Sequence, residues 1–270
     1  MSKLVLLDLD LTLINREYHL TLPLDQVRLI IGAAKGKGAV IGLNSDSSYH
    51  TLSGWYELLG LNGPIISERG ARIWLPGQAD QIEVSSLAAN LFPRLKADFI
   101  QNLLSAGEQV LVGDANKLQA AYQPHLGQKK IIIINDYRVR SLSFFARRVA
   151  EDGKLVIDSE LLDKAVALLT SLIHNYPWLE QDKDEDKNPD YGIYILHSLS
   201  SQKYQAAAKL LNSLNLDQMW MVGDNLPDFI ADPRVKHAAV SNARDQFKAR
   251  ADLITTGAIT AGVMEFLQSL

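Results

Sequence analysis

The chain has 270 residues, a formal net charge of −4 and a hydrophobic fraction of 47%. These values are typical of a globular protein with a sizeable core, and the negative balance excludes a general positive field that recruits nucleic acid or an anionic membrane. The sequence contains no cysteine, which excludes disulfides, thiol catalysis and thiolate metal sites. Asp8 interrupts the first apolar run, so we expect no signal peptide, and no run has the length of a membrane span. We therefore expect a cytoplasmic protein.

The first third of the chain alternates predicted strands and helices. The apolar run KLVLLD (3–8) predicts a buried strand, and Asp25 can cap a helix whose apolar residues recur on one face. The run AVIGL (39–43) predicts a second strand, a helix is predicted over 49–59, and PIIS (64–67) predicts a third strand. This β-α-β-α-β order indicates a parallel sheet with helices on both faces.

The last part of the chain repeats this alternation. SQKYQAAAKLLNSL (201–214) predicts a helix, and MWMVGD (219–224) predicts a strand that ends in an acid. AAVS (238–241) and DLITT (252–256) predict two further short strands, and AITAGVMEFLQSL (258–270) predicts a closing helix. The two ends of the chain are therefore expected to build one doubly wound domain.

The middle of the chain predicts a different, α+β arrangement. Its predicted elements, in chain order, are an extended arm (72–84), a long helix (85–105), strands KIIIIN (130–135) and RVRSLSFFA (138–146), a helix (160–175), a charged solvated loop (180–190) and a strand YGIYILH (191–197). We therefore predict an α/β protein with a doubly wound, Rossmann-like parallel-sheet core, residues 1–76 and 198–270, and an inserted α+β cap domain, residues 77–197.

Polar clusters follow the predicted strands of the core at the edge where ligands collect in open parallel sheets. They are Asp8 with Asp10, Ser45, Lys203, and Asp224 with Asp228. Each has a structural alternative: Ser45 can cap the following helix, Lys203 can be a surface lysine, and Asp228 can be a first-turn acid. Four such clusters at equivalent strand ends favour a shared site over four separate structural roles.

Together these residues indicate phosphoryl transfer. Asp8 is a candidate carboxylate nucleophile that forms an acyl-phosphate, and Asp10 is a candidate acid and base for the leaving oxygen and the attacking water. The charges of the acids and the phosphate must be offset, and Mg²⁺ prefers such oxygen ligands. We assign Asp8, Asp224 and Asp228 to the metal. Ser45 and Lys203 are the candidate phosphate-binding residues.

The motifs resemble those of the haloacid dehalogenase (HAD) superfamily phosphatases. DLDLT (8–12) is similar to the first motif of that family, Ser45 to the second, Lys203 in SSQKYQAA to the third, and GDNLPD (223–228) to the fourth. The resemblance implies the roles assigned above, and it further implies that the backbone carbonyl of Asp10 binds the metal. The resemblance covers the whole chain, with the motifs in the order of the family. The cap resembles its counterparts by placement and length more than by its residues.

The insertion resembles the type II cap of the Cof-like and sugar-phosphate phosphatases. ISERGARIW (66–74) and the tail AAVSNARDQFKARADLIT (238–255) are similar to that subgroup, and PIISERGARIWLPG (64–77) resembles the sucrose-phosphate and mannosyl-3-phosphoglycerate phosphatases. This sequence departs from the family pattern at Leu11, where glycine is commoner, and at Arg69, where many relatives have Asn near the mouth of the pocket. Arg69 is therefore a candidate substrate residue.

The predicted cap carries two candidate residues for the rest of the substrate. Arg138 and Arg140 alternate within RVRSLSFFA, so they would share one side of a strand and can bind a second anionic group. The alternative is a solvated strand face without a ligand. Phe144 and Phe145 in the same run are expected to lie in the core of this domain.

These observations predict a Mg²⁺-dependent phosphatase that hydrolyses a small phosphorylated metabolite, either a sugar phosphate or a phosphoglycerate glycoside, through an aspartyl-phosphate. The expected partner is a small-molecule phosphate ester, with no nucleic acid and no membrane. Two alternatives stay open: a phosphomutase of the same superfamily, and a non-catalytic phosphometabolite-binding protein. Haloacid dehalogenation is disfavoured because it does not need the acids of GDNLPD.

Overall fold

A computed structural model describes residues 3–78, 81–85, 87–120, 122 and 129–270 of the chain. Contacts divide the chain into two compact units, Met1–Ser85 with Ser201–Leu270, and Ser86–Ser200. We call them the core unit and the inserted unit. The division differs from the predicted boundaries because part of the predicted arm pairs with the sheet of the core unit. That the inserted unit acts as a cap stays a prediction.

The core unit contains eight strands in the described part of the chain, numbered with the helices along the whole sequence. They are β1 (Lys3–Leu7), β2 (Ala39–Asn44), β3 (Ile65–Ser67), β4 (Arg72–Trp74), β5 (Ile82–Glu83), β12 (Met219–Gly223), β13 (Val235–Ala239) and β14 (Leu253–Ile254). They form one sheet in the order β14-β13-β12-β1-β2-β3-β4-β5. The six strands from β14 to β3 are parallel, and β4 and β5 extend the sheet as antiparallel strands.

Helices cover both faces of this sheet. They are α1 (Leu24–Gly36), α2 (Tyr49–Leu59), α7 (Lys203–Ser213), α8 (Asp245–Lys248) and α9 (Ile259–Ser269). Val5 and Leu7 of β1 pack into one apolar cluster with α1 and α9, whereas Leu4 and Leu6 pack into another with α7. Side chains alternate across a strand, so the continuous apolar sequence of β1 serves both clusters. The predicted fold class is confirmed.

The inserted unit is an α+β layer structure. Its described elements are α3 (Leu91–Ser105), β6 (Val110–Gly113), α4 (Ala115–Ala120), β7 (Lys130–Asn135), β8 (Leu142–Val149), β9 (Leu155–Ile157), α5 (Ser159–Ile173), α6 (Pro177–Gln181), β10 (Lys183–Asn188) and β11 (Ile193–Ser198). The strands order as β10-β11-β8-β7-β6, and β9 pairs with β8. Helices α3 and α5 pack on one face, where Phe99, Phe144 and Tyr194 lie in the core. Phe145 is buried on the other face.

The structure differs from the predicted elements of the inserted unit in several places. The prediction of a solvated loop over 180–190 is wrong, because Lys183–Asn188 forms β10 and pairs antiparallel with β11. β10 is an edge strand, and its charged side chains protect an open edge from pairing with other chains. The helix predicted from residue 85 begins at Leu91, and β6, α4, β9 and α6 were not predicted from the sequence. No helix in the described ranges is long and apolar enough to cross a membrane.

Candidate active site

Asp8 lies at the carboxyl end of the central strand β1. Its backbone N–H donates to the carbonyl of Val222 on β12 at 2.9 Å, which continues the sheet pairing by one residue. The chain then turns sharply: the N–H groups of Leu13 and Ile14 both donate to the carbonyl of Leu9. Leu11 has φ 60°, in the left-handed region. Asp8 is therefore presented from a rigid strand, and Asp10 from the tight loop that follows it.

Lys203 bridges two acidic residues of the predicted site, Asp8 and Asp228. Its Nζ lies 2.6 Å from Oδ1 of Asp8 and 2.6 Å from Oδ1 of Asp228, and all three side chains are buried. Lys203 is the first residue of α7, so the start of this helix sets the position of the ammonium. Burial lowers the pKa of Lys203, but the carboxylates of Asp228 and Asp8 outweigh it and raise the pKa above its ordinary value. The lysine is therefore a permanent cation in this site.

The acids at this edge of the sheet repel one another. Burial raises the pKa of Asp8, Lys203 lowers it, and the carboxylates of Asp228, Asp224 and Asp10 raise it further. Burial raises the pKa of Asp224 to about 6, with Asp228 adding to the effect and Lys203 opposing it. Arg244 also lowers the pKa of Asp224, yet burial and mutual repulsion still raise the pKa of both Asp8 and Asp224 above their ordinary values.

Asp224 and Asp228 are held by the segment that follows β12. Residues Leu226–Asp228 form a 3₁₀ turn, and Oδ2 of Asp228 accepts the N–H groups of Asp224 (3.1 Å) and Asn225 (3.2 Å). Carboxylate oxygens of Asp8, Asp224 and Asp228 all lie within 4.8 Å of one another. Three oxygen donors at this spacing fit a hard divalent cation such as Mg²⁺.

Ser45 lies at the end of β2 and is fully buried. Its N–H donates to the carbonyl of Ile66 (3.0 Å), and its Oγ accepts the N–H of Ser47 (3.2 Å). Oγ of Ser47 in turn donates to Oδ2 of Asp10 at 3.4 Å. The Ser45 turn and the Asp10 loop are therefore adjacent, as the predicted site requires.

Arg69 lies beside this turn. Its N–H donates to the carbonyl of Ser45 at 3.2 Å, and its φ of 59° is in the left-handed region. The turn after β3 therefore places Arg69 next to a predicted phosphate-binding residue, and its role toward a substrate stays a prediction.

Two residues of this site, Thr12 and Ser47, were not predicted from the sequence. Thr12 Oγ1 lies 3.5 Å from Oδ1 of Asp224, and Ser47 contacts Asp10 as described above. Their positions could have indicated a role, since each lies within four residues of a predicted site residue. Both hydroxyls donate to a carboxylate of the cluster, so they help to orient the acids.

Arg138 and Arg140 belong to the inserted unit, and the expectation that they share one side of a strand is wrong. The strand β8 begins only at Leu142, and both arginines lie in the turn that precedes it. The solvated alternative is wrong as well, because both side chains are buried. Nη1 of Arg138 donates to Oγ of Ser141 (3.0 Å), and Nη1 of Arg140 donates to the carbonyl of Leu87 (3.1 Å).

A comparison with protein families matches nearly the whole chain. The model of the haloacid dehalogenase-like hydrolases matches residues 5–267, which include every residue of the site described above. The resemblance inferred from the four motifs is thereby confirmed.

Individual relatives are distant in sequence but match along their whole length. "Phosphoglycolate phosphatase 1" of Saccharolobus solfataricus is 24% identical over 273 residues, which cover 100% of this chain and 96% of that protein. The structure of a haloacid dehalogenase-like hydrolase from Bacteroides thetaiotaomicron has a TM-score of 0.67 at 17% identity and covers 100% and 99% of the two chains. A protein from Thermotoga maritima has a TM-score of 0.66 at 17% identity, covering 100% and 98%. These structural matches support the fold.

Proposed function

This chain belongs to the haloacid dehalogenase-like hydrolase family and is a phosphatase, and we propose that it hydrolyses a small phosphorylated metabolite with the help of Mg²⁺. One observation carries the proposal. Lys203 Nζ lies 2.6 Å from both Asp8 and Asp228, and the acids Asp8, Asp224 and Asp228 have oxygens within 4.8 Å of one another. A strand-borne carboxylate, a buried cation and a set of oxygen ligands thus meet at one point.

We infer that Asp8 is the nucleophile. One of its carboxylate oxygens forms a bond to phosphorus while the bond from phosphorus to the ester oxygen breaks, which leaves an aspartyl-phosphate and an alcohol. Asp10 donates the proton that the leaving oxygen needs, and then takes a proton from the water that attacks the aspartyl-phosphate. Inorganic phosphate and the free Asp8 carboxylate result.

Ser45 and Lys203 are proposed to hold the transferring phosphoryl group. The ammonium of Lys203 offsets negative charge on the phosphoryl oxygens, and the Ser45 hydroxyl donates a hydrogen bond to them. Both residues lie on elements fixed by the sheet, Ser45 after β2 and Lys203 at the start of α7. Groups held in advance in this way need no rearrangement at the moment of reaction.

A divalent metal fits the acids Asp8, Asp224 and Asp228, and members of this family generally use one. The resemblance adds the Asp10 carbonyl to the ligands. When bound, the metal neutralises charge on the carboxylates and the phosphate, which lets the nucleophile approach. The donors are all oxygens, which favours Mg²⁺ over softer metals.

The substrate is proposed to be a sugar phosphate or a phosphoglycerate glycoside. The match to a protein named for phosphoglycolate adds a small phosphorylated acid to the candidates. We assign Arg69 to substrate binding, and Arg138 and Arg140 to the recognition of a second anionic group. Arg138 also bonds within its own turn and Arg140 bonds to Leu87, so their substrate role must be tested by KM and not by activity alone.

The test is phosphate release from a panel of esters that includes phosphoglycolate, hexose phosphates and glycosylated phosphoglycerates. We expect release with Mg²⁺, none with a chelator, and a loss of about 10³-fold or more in Asp8→Asn. Asp217→Asn, at an exposed acid outside the site, is the matched control and should retain full activity. A phosphorylated Asp8 peptide in acid-quenched enzyme would identify the intermediate.

Other outcomes would decide between the alternatives. Conversion of a hexose phosphate into its isomer, with little free phosphate, would favour a phosphomutase. Ligand-dependent melting without phosphate release from any ester would favour a non-catalytic binding protein. Full activity of Asp8→Asn would exclude the mechanism.

A further inference from the structure

A side-chain amide links the loop between Asp10 and Ile14 to the last helix of the core unit. Nδ2 of Asn242 donates to the carbonyl of Leu11 at 2.8 Å, and Oδ1 of Asn242 accepts the N–H of Ile259, the first residue of α9, at 2.8 Å. We propose that Asn242 is a positioning residue for Asp10, because it holds Leu11 in the conformation that directs the loop. This inference rests on the role proposed for Asp10.

Both ends of this amide bridge lie on strained backbone. Leu11 has φ 60° and Ile259 has φ 51°, and neither residue is a glycine. Side chains with a Cβ rarely adopt this region, since the Cβ approaches the following carbonyl oxygen. Strained positions persist only where surrounding contacts hold them, and the Asn242 amide supplies one such contact to each.

The strain at Leu11 bears directly on Asp10. Leu11 follows Asp10 in the chain, and its N–H donates to the carbonyl of Ile14 at 2.8 Å, which closes the loop. A rotation of Leu11 toward negative φ breaks this closure and turns the preceding peptide. The Asp10 side chain, which accepts a hydrogen bond from Ser47, then moves relative to Asp8.

A second contact, made by Thr260, keeps the rest of the loop in place when the Asn242 amide is lost. The side chain of Thr260, in the first turn of α9, is fully buried. Its Oγ1 donates to the carbonyl of Leu13 at 2.7 Å and accepts the N–H of Thr21 at 2.9 Å. Thr260 therefore holds the far part of the loop by its own hydrogen bond, and within the loop the loss of the Asn242 amide frees only the Leu11 peptide.

The experiment is a rescue by glycine at either end of the bridge. Asn242→Ala should lower kcat by between about 10-fold and about 100-fold, the effect of a displacement of up to 1 Å, with KM changed less than about 2-fold because Ser45 and Lys203 stay in place. Adding Leu11→Gly should restore kcat to within about 3-fold of the parent, since glycine adopts positive φ without strain. Adding Ile259→Gly instead should restore nothing.

The outcomes that overturn the inference are distinct. Rescue by Ile259→Gly and not by Leu11→Gly would place the role of Asn242 in the start of α9. An unchanged kcat in Asn242→Ala would show that Asn242 does not position Asp10. A crystal structure of Asn242→Ala supplies a readout without any activity: Leu11 should leave the left-handed region, and a φ that stays near 60° would overturn the inference even if the proposed function fails.

Discussion

The ammonium of Lys203 lies 2.6 Å from the carboxylate of Asp8, so the proposed nucleophile is held in a buried ion pair. We expect Lys203→Met to lower the free energy of unfolding by about 3–5 kcal/mol, because two buried acids lose their cation. Urea denaturation in the presence of a chelator measures this change. Lys209→Met, at an exposed position of the same helix, is the control and should cost less than about 1 kcal/mol.

A second variant tests whether unpaired charge causes the loss. Adding Asp8→Asn to Lys203→Met removes one of the two charges left without a counterion, and should recover part of the lost stability. If the double variant is as unstable as the sum of the two single variants, charge pairing is not the source of the effect.

Addition of a divalent cation should stabilise the protein through the acidic cluster. At a Mg²⁺ concentration of 100 times its Kd, linkage predicts a gain of about 2.7 kcal/mol, visible as a higher melting temperature that a chelator reverses. Asp224→Asn removes the negative charge of one of the three carboxylate ligands and should abolish most of this shift. An equal shift in Asp224→Asn would place the cation elsewhere.

We predict that Gly223 cannot be replaced, because the side chain of Asp228 occupies the space that a Cβ would need. A Cβ added at Gly223 would lie 2.3 Å from Oδ2 and 2.5 Å from Cβ of Asp228. Gly223→Ala should therefore displace this acid, lower kcat at least about 10-fold and lower the free energy of unfolding by about 1–3 kcal/mol. Steady-state kinetics and urea denaturation measure the two effects.

The matched control for Gly223 is Gly32, which lies in α1 with no atom within 4 Å of an added Cβ. Gly32→Ala should raise the free energy of unfolding by up to about 1 kcal/mol and leave activity unchanged. Equal behaviour of the two alanine variants would contradict the steric argument.

The sequence predicted the core unit well for an identifiable physical reason. Strands buried on both faces of a parallel sheet are continuous apolar runs, and the first polar residue after each run marks the edge where ligands bind. Asp8, Ser45 and Asp224 all lie at such ends, as predicted. Asp8 and Asp224 come together because β1 lies beside β12 in the sheet.

The features that the sequence did not predict depend on contacts distant along the chain. β10 has no apolar pattern that would predict a strand. Its conformation is set by pairing with β11. The start of β8 at Leu142 leaves Arg138 and Arg140 in a turn, and β-propensity alone does not locate that boundary. The sequence around Leu11 does not predict its left-handed conformation either. The contact proposed to hold that conformation comes from the Asn242 side chain, which is distant along the chain.

His237 predicts how stability depends on pH. The buried ring stacks against Phe229 at 4.8 Å, and its Nε2 accepts the N–H of Ile230 at 3.0 Å, which only an unprotonated nitrogen can do. Burial lowers the pKa of His237, although Asp252 and Asp228 oppose the effect. The unfolded chain therefore takes up this proton at a higher pH than the folded protein, and folding stability falls as pH drops below about 6.5.

His237→Gln isolates this contribution. Glutamine keeps an acceptor of similar reach and does not titrate, so the difference in free energy of unfolding between wild type and variant cancels the other groups. We expect wild type to lose up to about 1.4 kcal/mol per pH unit relative to the variant between pH 6.5 and the lowered pKa of His237, measured by urea denaturation from pH 8 to pH 5. His19→Gln, at an exposed histidine, is the control for the substitution itself and should change the free energy of unfolding at pH 8 by less than about 0.5 kcal/mol. A difference that does not vary with pH would mean that His237 accepts a proton in the folded protein as readily as in the unfolded chain, against the hydrogen bond from Ile230.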